Sequence, residues 1–276
     1  MISDSEIKNY TLEYIESALK SIPPANLEKH LADKFFLKKK QSKFIVKSLI
    51  DNGKLAYKDI YGRTVIETSY NRAVRVSKHI VLVPPDTAFK PDSTDVIIRL
   101  LHGASFGTGQ HPTTRLSLQG IDYLFSKTDF LKNCNNMSSL LDIGTGSGVL
   151  AIAAMKMGIK KGTGTDIDPC AVSEAKTNAK INNLENYLKI ENTTLEDLKE
   201  KFSLIIANLR FPSLKTIYSL VASLSDNYSA IIMSGVKDDE LEKLINIYSK
   251  KYFSCQWHRT EKNWGAALFI KTNYKK

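Results

Sequence analysis

The stretch LLDIGTGSGVLAIAA, Leu140 to Ala154, constrains the fold most: an apolar strand passes through glycines at 144, 146 and 148 straight into an apolar helix. Glycines so spaced let backbone amides approach a ligand closely and accept the turn that a strand-to-helix switch demands. From about Ser138 onward the alternation recurs. Strand-like runs at SLLDI, KGTGTDI, YLKIE, FSLIIAN and SAIIMSG are separated by the helical patterns GVLAIAAMKMG, DPCAVSEAKTNAKINN, PSLKTIYSLVASL and DDELEKLINIYSKK. Such an alternation builds a parallel sheet with helices on both faces. Two final strand-like runs, YFSCQWHRT and WGAALFIKT, have no helix between them and are expected to pair antiparallel at the sheet edge. The expected fold class is α/β, with a Rossmann-like sheet of seven strands ending in an antiparallel hairpin.

The first part of the chain reads differently. LEKHLADKFFL and KQSKFIVKSLIDNGK are candidate helices; in the second, Ile45, Val46, Leu49 and Ile50 form an apolar stripe while Lys40, Lys43 and Lys47 share the opposite face. Gly53 ends that helix, and KLAYKDIYGRTVIET alternates as two strands around a turn at Tyr61 and Gly62. Helix, helix, hairpin is the order of a winged helix. The expected division is a winged-helix-like recognition domain at 1–83, a Pro- and Asp-rich linker at 84–93, and the α/β domain at 94–276. A basic helix of this kind can lie in a nucleic-acid groove with the hairpin as its wing, although winged helices also dock proteins.

Composition narrows the setting. A chain of 276 residues that is 42% hydrophobic can fill a large core and a small one, and its net charge of +10 suits nucleic acid or a ribonucleoprotein surface as well as a merely solvated exterior. Cys134, Cys170 and Cys255 are odd in number, far apart and without a C-x-x-C pair. That argues against a disulfide framework or a zinc site and fits a reducing cytoplasm. The opening MISDSEIKNYTLEYIESALK carries acids where a signal peptide carries a basic start and an apolar run, and no uncharged apolar span reaches membrane length. A soluble cytoplasmic protein is the expectation.

The glycine loop alone does not choose its ligand. Gly146, Gly148 and Ala151 satisfy the G-x-G-x-x-A of nicotinamide-binding folds, but in a poor register relative to the strand end. Read from Asp142, the loop matches the D-x-G-x-G-x-G of S-adenosylmethionine-dependent methyltransferases. Asp166, in GTGTDIDP, stands at the next strand end twenty-two positions after Gly144, where a carboxylate can accept from both ribose hydroxyls of an adenosine. No P-loop sequence is present. Upstream, SFGTGQHPTTRLSLQGIDYLF is a second glycine-rich loop, in which Pro112, Thr113 and Thr114 provide N-cap chemistry for a helix start that welcomes an anion.

Taken together, FGTGQHPTT, LLDIGTGSGVLAIAA, GTDIDPCAV and IIANL, in this order and spacing, resemble the ribosomal protein L11 methyltransferase family from Ser105 to about Lys271. The resemblance implies a class I methyltransferase sheet, S-adenosyl-L-methionine as cofactor, and methyl transfer to amino groups, lysine or N-terminal, of a ribosomal protein. On matching positions it implies that Thr114, Gly144, Gly146, Asp166 and Asn208 bind the cofactor, with Phe106 and Gly107 beside it. Asn208, ending the strand FSLIIAN, is also the candidate catalytic residue, since its carbonyl can hold an acceptor amine. The following NLRFP lacks the double proline of enzymes that methylate extruded bases. Arg210 stands where many members carry a small aliphatic residue, so its partner is an acidic patch on the target or a surface acid of this chain. His111 and Trp264 either cover the cofactor mouth or serve as a helix cap and a core side chain. The family's usual N-terminal module is a small α/β substrate-recognition domain, unlike the winged-helix pattern of Leu27 to Thr68. Two other functions remain open on sequence: RNA as methyl acceptor through the basic N-terminal domain, and a nucleic-acid-binding sensor of the cofactor that transfers nothing.

Overall fold

The computed structural model describes residues 3–18, 21–60, 62–69, 72–101, 106–107, 109, 111–134, 138–249 and 253–271. Tyr61 of the expected hairpin turn and Ser105, Thr108 and Gln110 of the second glycine-rich loop lie outside the described residues. The chain forms two compact units, Met1–Arg72 and Ala73–Lys276.

The first unit holds α1 (Asp4–Ser17), α2 (Pro24–Phe35), α3 (Lys39–Asp51) and an antiparallel hairpin of β1 (Leu55–Ile60) and β2 (Arg63–Thr68). Leu27, Leu31, Ile45, Val46, Leu49, Leu55 and Ile66 make its core. The helix α1 is an addition to the expected helix pair. Its inward stripe is Ile7, Thr11, Ile15, and the hydroxyl of fully buried Thr11 donates to the Ile7 carbonyl at 2.7 Å. A polar residue at the middle of the stripe interrupts the apolar period by which helices are read.

The second unit opens with a small sheet of β3 (Val74–Arg75), β4 (Ile80–Val83) and β5 (Val96–Arg99). Because β4 and β5 pair in parallel, residues 84–93 are a crossover inside this unit and join no two domains. Arg99 pins the crossover by donating to the Pro85 carbonyl at 2.7 Å. The division therefore falls at Arg72/Ala73, ahead of the expected boundary at 83. Pro- and Asp-rich composition marks a surface segment, and a crossover satisfies that as well as a linker.

After α4 (Pro112–Lys127) and the single turn α5 (Phe130–Asn133) comes the main sheet. Strands β6 (Ser139–Ile143), β7 (Lys161–Thr165), β8 (Leu188–Glu191) and β9 (Phe202–Asn208) alternate with α6 (Val149–Lys156) and α7 (Pro169–Ile181). Next come α8 (Phe211–Thr216), α9 (Tyr218–Leu224), β10 (Ser225–Lys237), α10 (Asp238–Tyr248), β11 (Phe253–Glu261) and β12 (Trp264–Lys271). The seven strands lie in the order β11-β12-β10-β9-β6-β7-β8, with β12 antiparallel to both its neighbours, β10 and β11, and every other pair parallel. The last strand inserts between β10 and β11, so β11 and not β12 forms the edge.

Period-two alternation fills both faces of this sheet. Leu140, Leu204, Ile206, Ile232 and Leu268 face one core, which α6 enters with every residue from Val149 to Met155 buried. Leu141, Ile205, Ile231, Met233 and Phe269 face the other. The chain leaves β6 toward β7 and β8, then returns to the far side of β6 with β9. The carboxyl ends of β6 and β9 thus flank a topological switch point, where crevices form in open α/β sheets.

One backbone contact fixes the residue after β9. At Gly235, φ is +90° and the β10–β12 register shifts by one residue. A side chain there would overlap the Leu209 backbone, whose N–H donates to the Ser234 carbonyl at 3.0 Å. Gly235→Ala should therefore lower stability by about 2–4 kcal/mol, read as a lower urea midpoint, whereas a glycine in an open turn such as Gly62 should tolerate Ala far better.

Candidate active site

Most of the residues singled out from the sequence gather at the carboxyl edge of the main sheet. Asp142 is fully buried in β6, where one carboxylate oxygen accepts from the Thr145 hydroxyl at 2.8 Å and from the Ala151 amide of α6 at 3.2 Å. Its other oxygen, Oδ1, is buried without a hydrogen-bond partner. Burial, with the negative charge of Asp166 beside it, pushes this carboxyl up to about 7. Asp142 thus closes the first turn of the loop from within and retains one unspent acceptor.

The glycine loop is clamped on two sides. From β7, the Thr165 carbonyl accepts from the amides of Gly144 and Thr145 at 2.8 and 2.9 Å. Asp166, just past the end of β7, accepts from the Gly146 amide at 2.9 Å and from the Asp168 amide at 3.0 Å. Its two oxygens are held in place while their remaining lone pairs stay available, the arrangement a vicinal diol requires. From upstream, Phe106 and Gly107 lend their carbonyls to the Ser147 amide (2.9 Å) and hydroxyl (3.0 Å). The Phe106 oxygen lies 2.5 Å from where a Cβ on residue 146 would stand, so only glycine fits between the two loops.

The start of α4 joins the same edge. Ser234 pairs with Asn208 across β9–β10 and donates from its hydroxyl to the Thr113 carbonyl at 3.1 Å. That brings Thr114 toward the end of β9. Thr114 is fully buried with its hydroxyl unpartnered, and the buried Oδ1 of Asn208 is also unpartnered. His111 is the N-cap, one of the two roles its position suggested, while Pro112 opens the helix and the two threonines occupy its first turn instead of the cap. Nδ1 of His111 accepts from the Thr113 amide at 3.3 Å, and burial together with the charges of Arg115 and Lys237 holds the ring at about 4. An imidazole so placed is neutral at pH 7.

His111 also joins an aromatic row, so it is cap and wall at once. Its ring lies 5.1 Å from Phe106, which is half-exposed, and 4.9 Å from Trp264 in an edge-on arrangement. Lys237 sets its ammonium 3.5 Å from the centre of the Trp264 ring. Arg210 is exposed at the N-cap of α8 and makes no ion pair among the described residues. The seven predicted binding residues therefore fall in two groups. Phe106, Gly107, Gly144, Gly146 and Asp166 are tied together at the loop, and Thr114 and Asn208 lie to either side of Ser234, which pairs with Asn208 and donates to the Thr113 carbonyl.

Sequence reasoning passed over Ser147, Ser234 and Lys237. Ser147 had a signal, since a hydroxyl inside a glycine loop can hold a facing loop. Ser234 and Lys237 had none, because their partners Thr113, Asn208 and Trp264 arrive by strand pairing over long separations.

A mostly parallel seven-stranded sheet with a terminal antiparallel hairpin, a glycine loop after its central strand and a carboxylate past the next is the class I methyltransferase fold. Within it, the chain belongs to the Ribosomal protein L11 methyltransferase (PrmA) family, whose sequence profile matches residues 64–272. A ribosomal protein L11 methyltransferase of Lactobacillus johnsonii is 35% identical over 204 residues, covering 73% of this chain and 62% of that protein. One from Neisseria meningitidis serogroup C is 34% identical over 191 residues, covering 69% and 60%. The crystal structure of a ribosomal protein L11 methylase from Lactobacillus delbrueckii subsp. bulgaricus superposes with a TM-score of 0.63 at 28% identity, covering 73% of this chain and 100% of that one. The chain spans about three fifths of the length of the curated relatives it matches.

The Asp142 carboxyl carries a pH signature. Its native pKa of about 7 lies above the ordinary 3.8, so between those values the folded state binds more protons than the unfolded one. Its contribution to stability is therefore full below pH 4 and declines as pH rises to 7. Asp142→Asn removes that decline: relative to wild type, the variant should gain on the order of 3–4 kcal/mol between pH 4 and pH 7.5, read from urea unfolding at each pH. A pH-independent difference between the two proteins would refute the buried-carboxyl assignment.

Proposed function

We propose that this chain is an S-adenosylmethionine-dependent methyltransferase that modifies amino groups of ribosomal protein L11. The observation that carries the cofactor reading is the set of buried unpartnered oxygens on Asp142, Thr114 and Asn208, beside a loop that admits no side chain at 146. Buried polar atoms left unpaired are costly in a finished core and are what a site for a polar, cationic ligand leaves exposed to it. A zwitterionic sulfonium with an adenosine tail offers the donors and positive charge that these oxygens lack. When bound, the cofactor would supply an electrophilic methyl group on a cationic sulfur, which leaves as a neutral thioether.

The chain's own residues orient and desolvate. Asp166 holds the ribose hydroxyls, Gly144 and Gly146 let the backbone come close, and Thr114 takes a polar end at the start of α4. Phe106 and Gly107 cover the loop through Ser147. Asn208 holds the acceptor amine by its side-chain carbonyl, aiming the lone pair once the amine is neutral. His111, uncharged at working pH, adds no positive charge to oppose an arriving ammonium.

Ribosomal protein L11 as the target rests on the names of the relatives. The target-recognition part of this chain lies in residues 1–72, which we read as a winged-helix-like module, with the site's action placed in the cytoplasm where ribosomal proteins are made. No helix among the described residues is long and apolar enough to cross a membrane.

Calorimetry should show saturable S-adenosylmethionine binding, weakened about thirtyfold or more by Asp166→Ala. Asn208→Ala should lower kcat about a hundredfold and also weaken cofactor binding, by less than Asp166→Ala does. With labelled cofactor and ribosomal components, label should appear on L11 amines; label in RNA instead would overturn the acceptor, and no cofactor binding would overturn the whole reading.

A further inference from the structure

We infer that the exposed face of α3, with the turn before it, is a binding site for single-stranded RNA. The run KKKQSKFIVK, 38 to 47, holds five lysines and no acid. The helix turns Ser42, Ile45, Val46 and Leu49 into the core, which forces Lys40, Lys43, Phe44 and Lys47 onto one outward strip. No ion pair among the described residues engages any of these lysines. Asp51 is exposed at the far end and closes the strip there.

A lysine face alone is usually just hydrated; the aromatic rings set this one apart. Phe44, between Lys40 and Lys47 on the helix surface, is 65% exposed, and Phe36, at the C-cap of α2 with φ of 54°, is 95% exposed. Neither ring is among the side chains that build or pack against the unit's core. A phenylalanine held in water amid cations offers a flat apolar surface on which an unpaired base stacks, while the ammonium groups take the flanking phosphates. Duplex contact leaves the rings unused, because paired bases present no free face. An acidic protein surface likewise satisfies the lysines and not the rings. The choice of RNA over single-stranded DNA rests on the ribosomal reading above.

The test uses the full chain and a labelled single-stranded RNA of about 12 nucleotides, followed by fluorescence anisotropy across a salt series. Binding should weaken with salt. Replacing Lys40, Lys43 and Lys47 together by Gln should weaken it at least about tenfold and flatten the log–log salt slope by about two. Phe44→Ser should weaken it about fivefold or more with the slope unchanged. Unaltered melting temperatures would show that each variant folds, since the substituted side chains all point outward. The inference is overturned if the triple variant binds as wild type does, if duplex RNA binds equally well whether or not Phe44 is present, or if poly-glutamate competes as effectively as RNA. Absent RNA binding with cofactor binding intact sinks this inference alone; the reverse result sinks the methyltransferase reading alone.

Discussion

The Phe106 carbonyl rests where a side chain on residue 146 would have to be. That one exclusion holds the site together. It forces glycine into the loop after β6, brings the upstream segment against it, and leaves the Ser147 amide and hydroxyl to bind the Phe106 and Gly107 carbonyls. The same loop turns its Gly146 amide to Asp166 on the other side. Three segments far apart in sequence are thereby tied through a few backbone groups, and a carboxylate is presented with lone pairs to spare.

Around this clamp the sheet supplies position and the core supplies a low dielectric. Asp142 shows how the two combine. An acid in the middle of a fully buried strand costs stability when ionised, and its retention with one oxygen unsatisfied makes sense if a cationic ligand is to satisfy it. Thr114 and Asn208 repeat the pattern without charge. The neutral His111 and the Lys237–Trp264 pair border the same edge, so its rim combines an uncharged ring, an aromatic face and a fixed cation. The two units divide the chemical labour by composition: the larger encloses polar atoms in an apolar sheet, and the smaller shows lysines and bare phenylalanines to water.

Much of the larger unit was legible in the residues. The strands around Leu140, Thr163, Ile190, Ile205 and Ile232, the intervening helices and the antiparallel close of the chain all follow from local period and glycine placement. So does the convergence of Asp166 with the glycine loop, because successive β–α units of a parallel sheet put every strand end on one edge. Less legible was the front of the chain. A threonine at the centre of its buried stripe hid α1, and the proline-rich crossover between β4 and β5 had the composition of a linker.

The amino-acid order alone decided the α/β class, the loop that can take a ligand and the acid that faces it, since each depends on spacing within a few turns of chain. Only the folded chain decided that Ser234, opposite Asn208, would bind the Thr113 carbonyl and that Lys237 would lie over Trp264. It alone, too, left the second oxygen of Asp142 without a partner. Those facts depend on strand pairing and on burial across long separations, and neither the register of a distant strand nor the loss of solvent around one atom is written in local pattern.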